Sequence, residues 1–167
     1  MKHHQIANVE FRYPIGLSIA YNYPIFIDLA NKFIECAKTE IEEKDIIKLI
    51  CRGSSGAIIA TIFYQKIQEA FPEQKIHIVH IKKDNEQSHS NQVEGLHVYN
   101  EQEHLYVWID DHINTGETLE ACKHAIINRG PNFKEFKFNW VVCLSSDRNL
   151  EYHEKFTHNL LTHIKHH

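Results

Sequence analysis

LYVWIDDHINTGETL, residues Leu105–Leu119, holds more chemical information than any other stretch of the chain. An apolar run over 105–109 ends in adjacent carboxylates, Asp110 and Asp111. Thr115-Gly116-Glu117-Thr118 begins four residues after Asp111, and a helix-periodic segment over 118–128 follows at once, with Gly130-Pro131 beyond it. This order predicts a buried strand, a polar loop and a helix N-terminus. Carboxylates accept hydrogen bonds from sugar hydroxyls. A loop of small residues at the positive end of a helix offers backbone N–H groups to a phosphate. The segment thus has a partner for each end of a ribose 5-phosphate.

Two further segments sit where such a site needs help. Cys51 to Ala57, CRGSSGA, follows an apolar run over 46–51 and precedes a helical pattern over 56–70 that Pro72 stops. Its small residues let backbone amides approach an anion, and Arg52 adds a charge-assisted contact. His80 to Gly95, HIKKDNEQSHSNQVEG, follows the strand-like IHIVHI of 76–81 and is almost entirely polar. Its composition predicts a long flexible loop.

Several apolar residues, two acids, a short spacer and T-G-x-T form a pattern that resembles the signature of the type I phosphoribosyltransferases. The resemblance runs through three separated motifs over roughly residues 24–145. It implies that Asp110 and Asp111 hold the 2′- and 3′-hydroxyls of phosphoribosyl pyrophosphate (PRPP). Thr115, Gly116, Glu117 and Thr118 would wrap its 5′-phosphate, and Arg52, Gly53, Ser54 and Ser55 its pyrophosphate. The polar loop resembles the catalytic loop of orotate-type enzymes, with Lys82 in the place of an Arg, Lys83 in that of a Lys, and His89 near that of a His. Gln87 stands where a further Lys would help. Asn114 occupies the place where hypoxanthine-guanine enzymes carry an Asp, and an amide is a very poor general base. Orotate- or adenine-like chemistry is the better match, with Lys83, Asp110, Asp111 and Asn114 as the catalytic set. The implied cofactor is Mg2+, met by Asp110 and Asp111 mainly through ribose hydroxyls and water, since this ion keeps several waters and few protein ligands.

The same resemblance implies transfer of 5-phosphoribose from PRPP to a nucleobase-like nitrogen acceptor with release of pyrophosphate, by a homodimer. A different class remains open: a non-catalytic PRPP- or nucleotide-binding regulator of the same fold. His112 is either a ligand contact or a residue on the flank of the sheet. Tyr21, Tyr23 and Phe26 either stack on a planar base or pack in the core.

Composition sets the outer bounds. The 167 residues suffice for one domain, 1–167, and not for two comfortable ones. The net charge of −4 argues against broad nucleic-acid binding. Cys36, Cys51, Cys122 and Cys143 lack CxxC or zinc spacing and read as reduced thiols, buried at 51 and 143. No apolar h-region or membrane-length run is present, so a cytoplasmic protein without membrane partners is expected. The predicted fold is α/β: a doubly wound domain with a mostly parallel sheet of about five strands. A small N-terminal hood and first helix take residues 1–40, and a flexible lid region 83–104. A strand end near Ile25 should pass into a helix reaching about Glu42. A short hairpin arm is expected over 96–99, a fourth strand over 136–144, and a partly helical tail over 145–167 with Phe156, Leu160, Leu161 and Ile164 on one face.

Overall fold

The computed structural model describes residues 2–5, 9–11, 23–86, 91–97, 103–113, 115–146, 158–161 and 164–166. The elements run β1 (Lys2–Gln5), β2 (Val9–Phe11), α1 (Tyr23–Glu43), β3 (Ile46–Arg52), α2 (Gly53–Ala70), β4 (Lys75–Ile81), β5 (Val93–Glu94), β6 (His104–Ile113), α3 (Glu117–Ile127), β7 (Trp140–Ser146), β8 (His158–Leu161) and β9 (Ile164–His166). A short 3-10 turn covers Pro131–Phe133. The main sheet has the order β1-β8-β7-β6-β3-β4-β5, and β2 pairs with β9 apart from it. Within the main sheet all contacts are parallel except the antiparallel β4–β5 pair. The central strands β7-β6-β3-β4-β5 form the expected mostly parallel sheet of about five, and β8 and β1 extend its edge.

Helices cover both faces because the central strands carry apolar residues on both. Along β3, Ile47, Leu49 and Cys51 pack with α1 and α2, while Ile50 packs with α3 on the opposite face. In α1 the fully buried Phe26, Leu29, Ala30, Phe33, Ala37 and Ile41 follow helical spacing. Phe33 meets Phe63 of α2 at 5.8 Å between ring centroids and Trp140 of β7 edge-on at 5.4 Å. Phe26 is therefore a core residue and not a base-stacking one.

Five local expectations need correction. The strand end expected near Ile25 is helix: α1 is helical from Tyr23, with Pro24 in its first turn, where a missing N–H costs nothing. No Arg52–Ser55 loop separates β3 from α2, since Arg52 ends the strand and Gly53 begins the helix. The hairpin arm described is Val93–Glu94, paired with His80 and Ile81; of the expected 96–99, Leu96 and His97 lie in no strand, and 98–99 lie outside the described residues. β7 starts at Trp140: Phe136 and Phe138 are buried ahead of it in an aromatic cluster with Tyr106. The tail is strand where it is described: β8 pairs with β7, and β9 with β2. Leu160, Leu161 and Ile164 thus lie in strands, and Phe156 lies outside the described residues. Parallel pairing to segments far away in sequence overrode a helical spacing that is only a local preference.

Lys48 is fully buried in β3. Its Nζ lies 3.0 Å from His77 Nδ1 and donates to the His97 carbonyl at 3.1 Å. Burial pushes its ammonium down to about 8. No helix among the described residues is long and apolar enough to cross a membrane.

Candidate active site

The strand order puts a crevice in a definite place. From β3 the chain passes through α2 to β4 on one side. From β6 it passes through α3 to β7 on the other side and the other face. Ladder pairing between β3 and β6 stops at Ile50 and Trp108, while β6 continues beside β7 to Ile113. Asp110 and Asp111 therefore belong to the strand itself, two and three residues past its last pair with β3, and not to a loop beyond it. The connections after β3 and β6 diverge here, which is where open α/β sheets bind ligands.

A cavity of about 710 Å3 occupies this crevice. Arg52, Gly53, Ser54 and Ser55 line it from the start of α2, Lys83 from the segment after β4, Asp110 and Asp111 from β6, and Glu117 and Thr118 from the start of α3. The sequence motifs thus converge on one space although they are up to 66 residues apart. Asp84, Asn85, His112 and Ala121 line it too. Asp84 and Asn85 were findable as neighbours of Lys83, and Ala121 as the residue one turn after Glu117. A smaller cavity of about 90 Å3 adjoins the loop before α3. Thr115 and Gly116 line this smaller space, and His112 and Thr118 line both. His112 accordingly faces the crevice.

Backbone geometry shapes both rims. Gly53 has φ +69° as it turns the chain from β3 into α2, and a Cβ there would stand 3.2 Å from Lys83 Cε. Glycine permits both the left-handed turn and the approach of the lysine. Gly116, at φ +82°, caps α3, and its carbonyl accepts the Glu120 N–H at 3.0 Å. The first N–H groups of α2 and α3 have no partners within their helices. Glu117 and Glu120 occupy the first turn of α3, so that helix end already carries negative charge.

Arg52 is nearly buried, its side chain 13% exposed, and its Nη2 lies 3.7 Å from Asp84 Oδ1. Its Nε is buried and has no hydrogen-bond partner among the described residues. Lys82 does not join the cavity lining. Its Nζ lies 2.5 Å from Glu94 Oε1, and its N–H donates to the Gln92 carbonyl, so it braces the β4–β5 turn. His89 and Asn114 lie outside the described residues.

The acids differ in their surroundings. Asp110 is 8% exposed, and its Oδ1 accepts the Asp111 backbone N–H at 2.9 Å. Burial, and after it the hydrogen bond and charge of Asp111, push its carboxyl up to about 8. Lys83 pulls the other way, which places an ammonium near the pair. A carboxyl raised above its unfolded value favours the fold fully below about 4, and that contribution is lost as pH rises toward 8. Asp110→Asn removes the titration. Its melting temperature should exceed wild type by about 3 °C or more at pH 8, on a scale of roughly 2–4 °C per kcal/mol, and match it near pH 4. Parallel melting curves for the two proteins across pH 4–8 would contradict this.

Asp110 and Asp111 suit a hard divalent cation that takes its other ligands from a bound substrate and water. Among the described residues no group of three or more His, Cys, Asp or Glu side chains forms a metal cage. The thiols offer no nucleophile: burial pushes Cys51 up to about 12 and Cys122 to about 11, so both stay protonated. Cys143 is also buried and Cys36 half-buried.

No family model matches the sequence. No curated protein matches it either. Solved structures do resemble it. Helicobacter pylori xanthine-guanine-hypoxanthine phosphoribosyltransferase superposes with a TM-score of 0.52 at 13% identity, over 99% of this chain and 92% of that one. Francisella tularensis orotate phosphoribosyltransferase gives 0.53 at 12% identity, over 87% and 68%. Leishmania donovani UMP synthase gives 0.50 at 15% identity, over 82% of this chain and 28% of that much longer one. At these identities the likeness establishes the fold, which is that of the type I phosphoribosyltransferases.

Proposed function

We propose that this chain is a Mg2+-dependent phosphoribosyltransferase of the orotate type, moving 5-phosphoribose from PRPP to a nitrogen of a nucleobase-like acceptor and releasing pyrophosphate. The observation that carries the reading is the convergence, in one crevice where the strand order reverses, of two helix N-termini, Arg52, Lys83 and the Asp110–Asp111 pair.

In this reading Asp110 and Asp111 accept hydrogen bonds from the ribose hydroxyls. Residues 115–118 hold the 5′-phosphate. Arg52 and the first turn of α2, with Ser54 and Ser55, hold the pyrophosphate. Lys83 stands where negative charge grows on the departing group, and fixed cations there lower the barrier. Mg2+ would supply further charge neutralisation on the pyrophosphate, with the two acids within its reach. The protein assembles as a homodimer and works in nucleotide metabolism in the cytoplasm. A base-selecting role falls to His112, which faces the crevice, and to Asn114.

Pyrophosphate release from PRPP and Mg2+ across orotate, adenine, guanine, hypoxanthine, xanthine, uracil and nicotinate tests the proposal. Release with one base, orotate first, is the expected result. Silence across the panel with a PRPP-induced rise in melting temperature would favour the non-catalytic regulator. Silence with no thermal shift would remove the PRPP site altogether.

A further inference from the structure

Resting on that reading of the crevice, we propose that Asp84 is an internal competitor of the anion: its carboxylate faces the Arg52 guanidinium across an ion pair and must give it up before a diphosphate binds. Three observations lead here. Among the described residues Arg52 is the arginine that lines the crevice, and its guanidinium faces Asp84 while its Nε has no hydrogen-bond partner among them. A guanidinium buried with an unmade hydrogen bond is poised for a better acceptor. Asp84 is 85% exposed, so it leaves Arg52 for water at little cost. Asp84 is also tied to its surroundings. It accepts a long 3.5 Å hydrogen bond from Gln92 Nε2, and it lies in a turn closed by Glu86 N–H to the Lys83 carbonyl at 2.9 Å and by Lys83 N–H to Glu86 Oε2 at 3.2 Å.

The electrostatics follow from position. An anion that takes the guanidinium lies within a few ångströms of Asp84, and like charges that close repel even where water reaches them. A singly charged anion gains little by replacing one carboxylate with another. A diphosphate also engages the first turn of α2 and Lys83, and so wins the exchange. Asp84 thereby raises the threshold for occupancy and favours highly charged ligands.

The test is binding of inorganic pyrophosphate to the full chain by calorimetry in the presence of EDTA, which removes any indirect effect through a cation. Asp84→Asn should bind at least tenfold more tightly than wild type. Asp84→Glu, which keeps a carboxylate near Arg52, should stay within about threefold of wild type. Equal or weaker binding by Asp84→Asn, or equal tightening by Asp84→Glu, overturns the competitor role while leaving the site itself intact. Binding by Asp84→Asn with wild type silent supports it. Silence of wild type and both variants overturns the competitor role and the diphosphate site together. Melting temperatures within about 2 °C of wild type identify the variants as folded, as expected for an exposed side chain.

Discussion

The Asp110→Asn/Asp111→Asn double variant should lose PRPP binding by at least about 100-fold and keep its fold. Each carboxylate that accepts a hydroxyl hydrogen bond contributes about 1.5–3 kcal/mol, and two such losses amount to a factor of at least roughly 10² in affinity. The stability side has an unusual sign. Asp110 is no surface residue, and replacing a buried carboxylate commonly costs stability. Here the carboxylate is itself the strained state: burial and Asp111 both oppose its ionisation. Asparagine keeps an oxygen for the Asp111 N–H and brings no charge. The double variant should therefore melt at or above the wild-type temperature at pH 8. Calorimetry with PRPP and Mg2+, beside a thermal melt, checks both parts. Wild-type affinity in the folded double variant would remove these acids from the ligand site. A collapsed melting temperature would show instead that Asp110 holds the strand end in place.

Lys83→Ala should reduce kcat by about 100-fold or more while KM for PRPP moves less than about threefold. Removing one preorganised donor aimed at developing charge typically costs 10²–10³ in rate. A lysine that acted equally on ground and transition states would raise KM and leave kcat alone. Lys83 stands over Gly53 at the mouth of α2 and lies close enough to Asp110 to favour its ionisation. The variant should therefore also push the Asp110 carboxyl further up, visible as a basic shift in the pH dependence of Mg2+-PRPP binding. Unchanged kcat and KM would make Lys83 a bystander of the crevice. A loss confined to KM would make it a binding residue with no part in the transition state. Lys82→Ala is the internal control: its ammonium is committed to Glu94, so its effect should fall on stability.

The three motifs were visible along the chain because each depends on neighbours in sequence. Alternating or continuous apolar runs announce strands, glycines announce turns, and small residues ahead of a helical pattern announce an anion-ready helix start. Those signals placed β3, α2, β4, β6 and α3 to within a few residues. They were silent on charge placement. Lys82 and Lys83 are adjacent and alike, yet one is braced against Glu94 and the other lines the crevice. Which of the two faces the cavity depends on the β4–β5 pairing. His112 was open to two readings for the same reason, and the continued pairing of β6 with β7 turned it toward the crevice.

By itself, then, the sequence determined the α/β class, the order of strands and helices through the central region, and the identity of the acids, cations and small residues available for a phosphorylated sugar. Only the tertiary structure decided that β6 runs on through Asp110 and Asp111, that the described parts of the tail are strands, that Lys48 is buried against His77, and that Arg52 faces Asp84. The reason is one of range. Periodicity, turn chemistry and helix starts are encoded within a few residues. Parallel ladders, and the burial that is the largest cause of the raised Asp110 carboxyl, come from groups tens of residues away, whose proximity exists only once the sheet has formed.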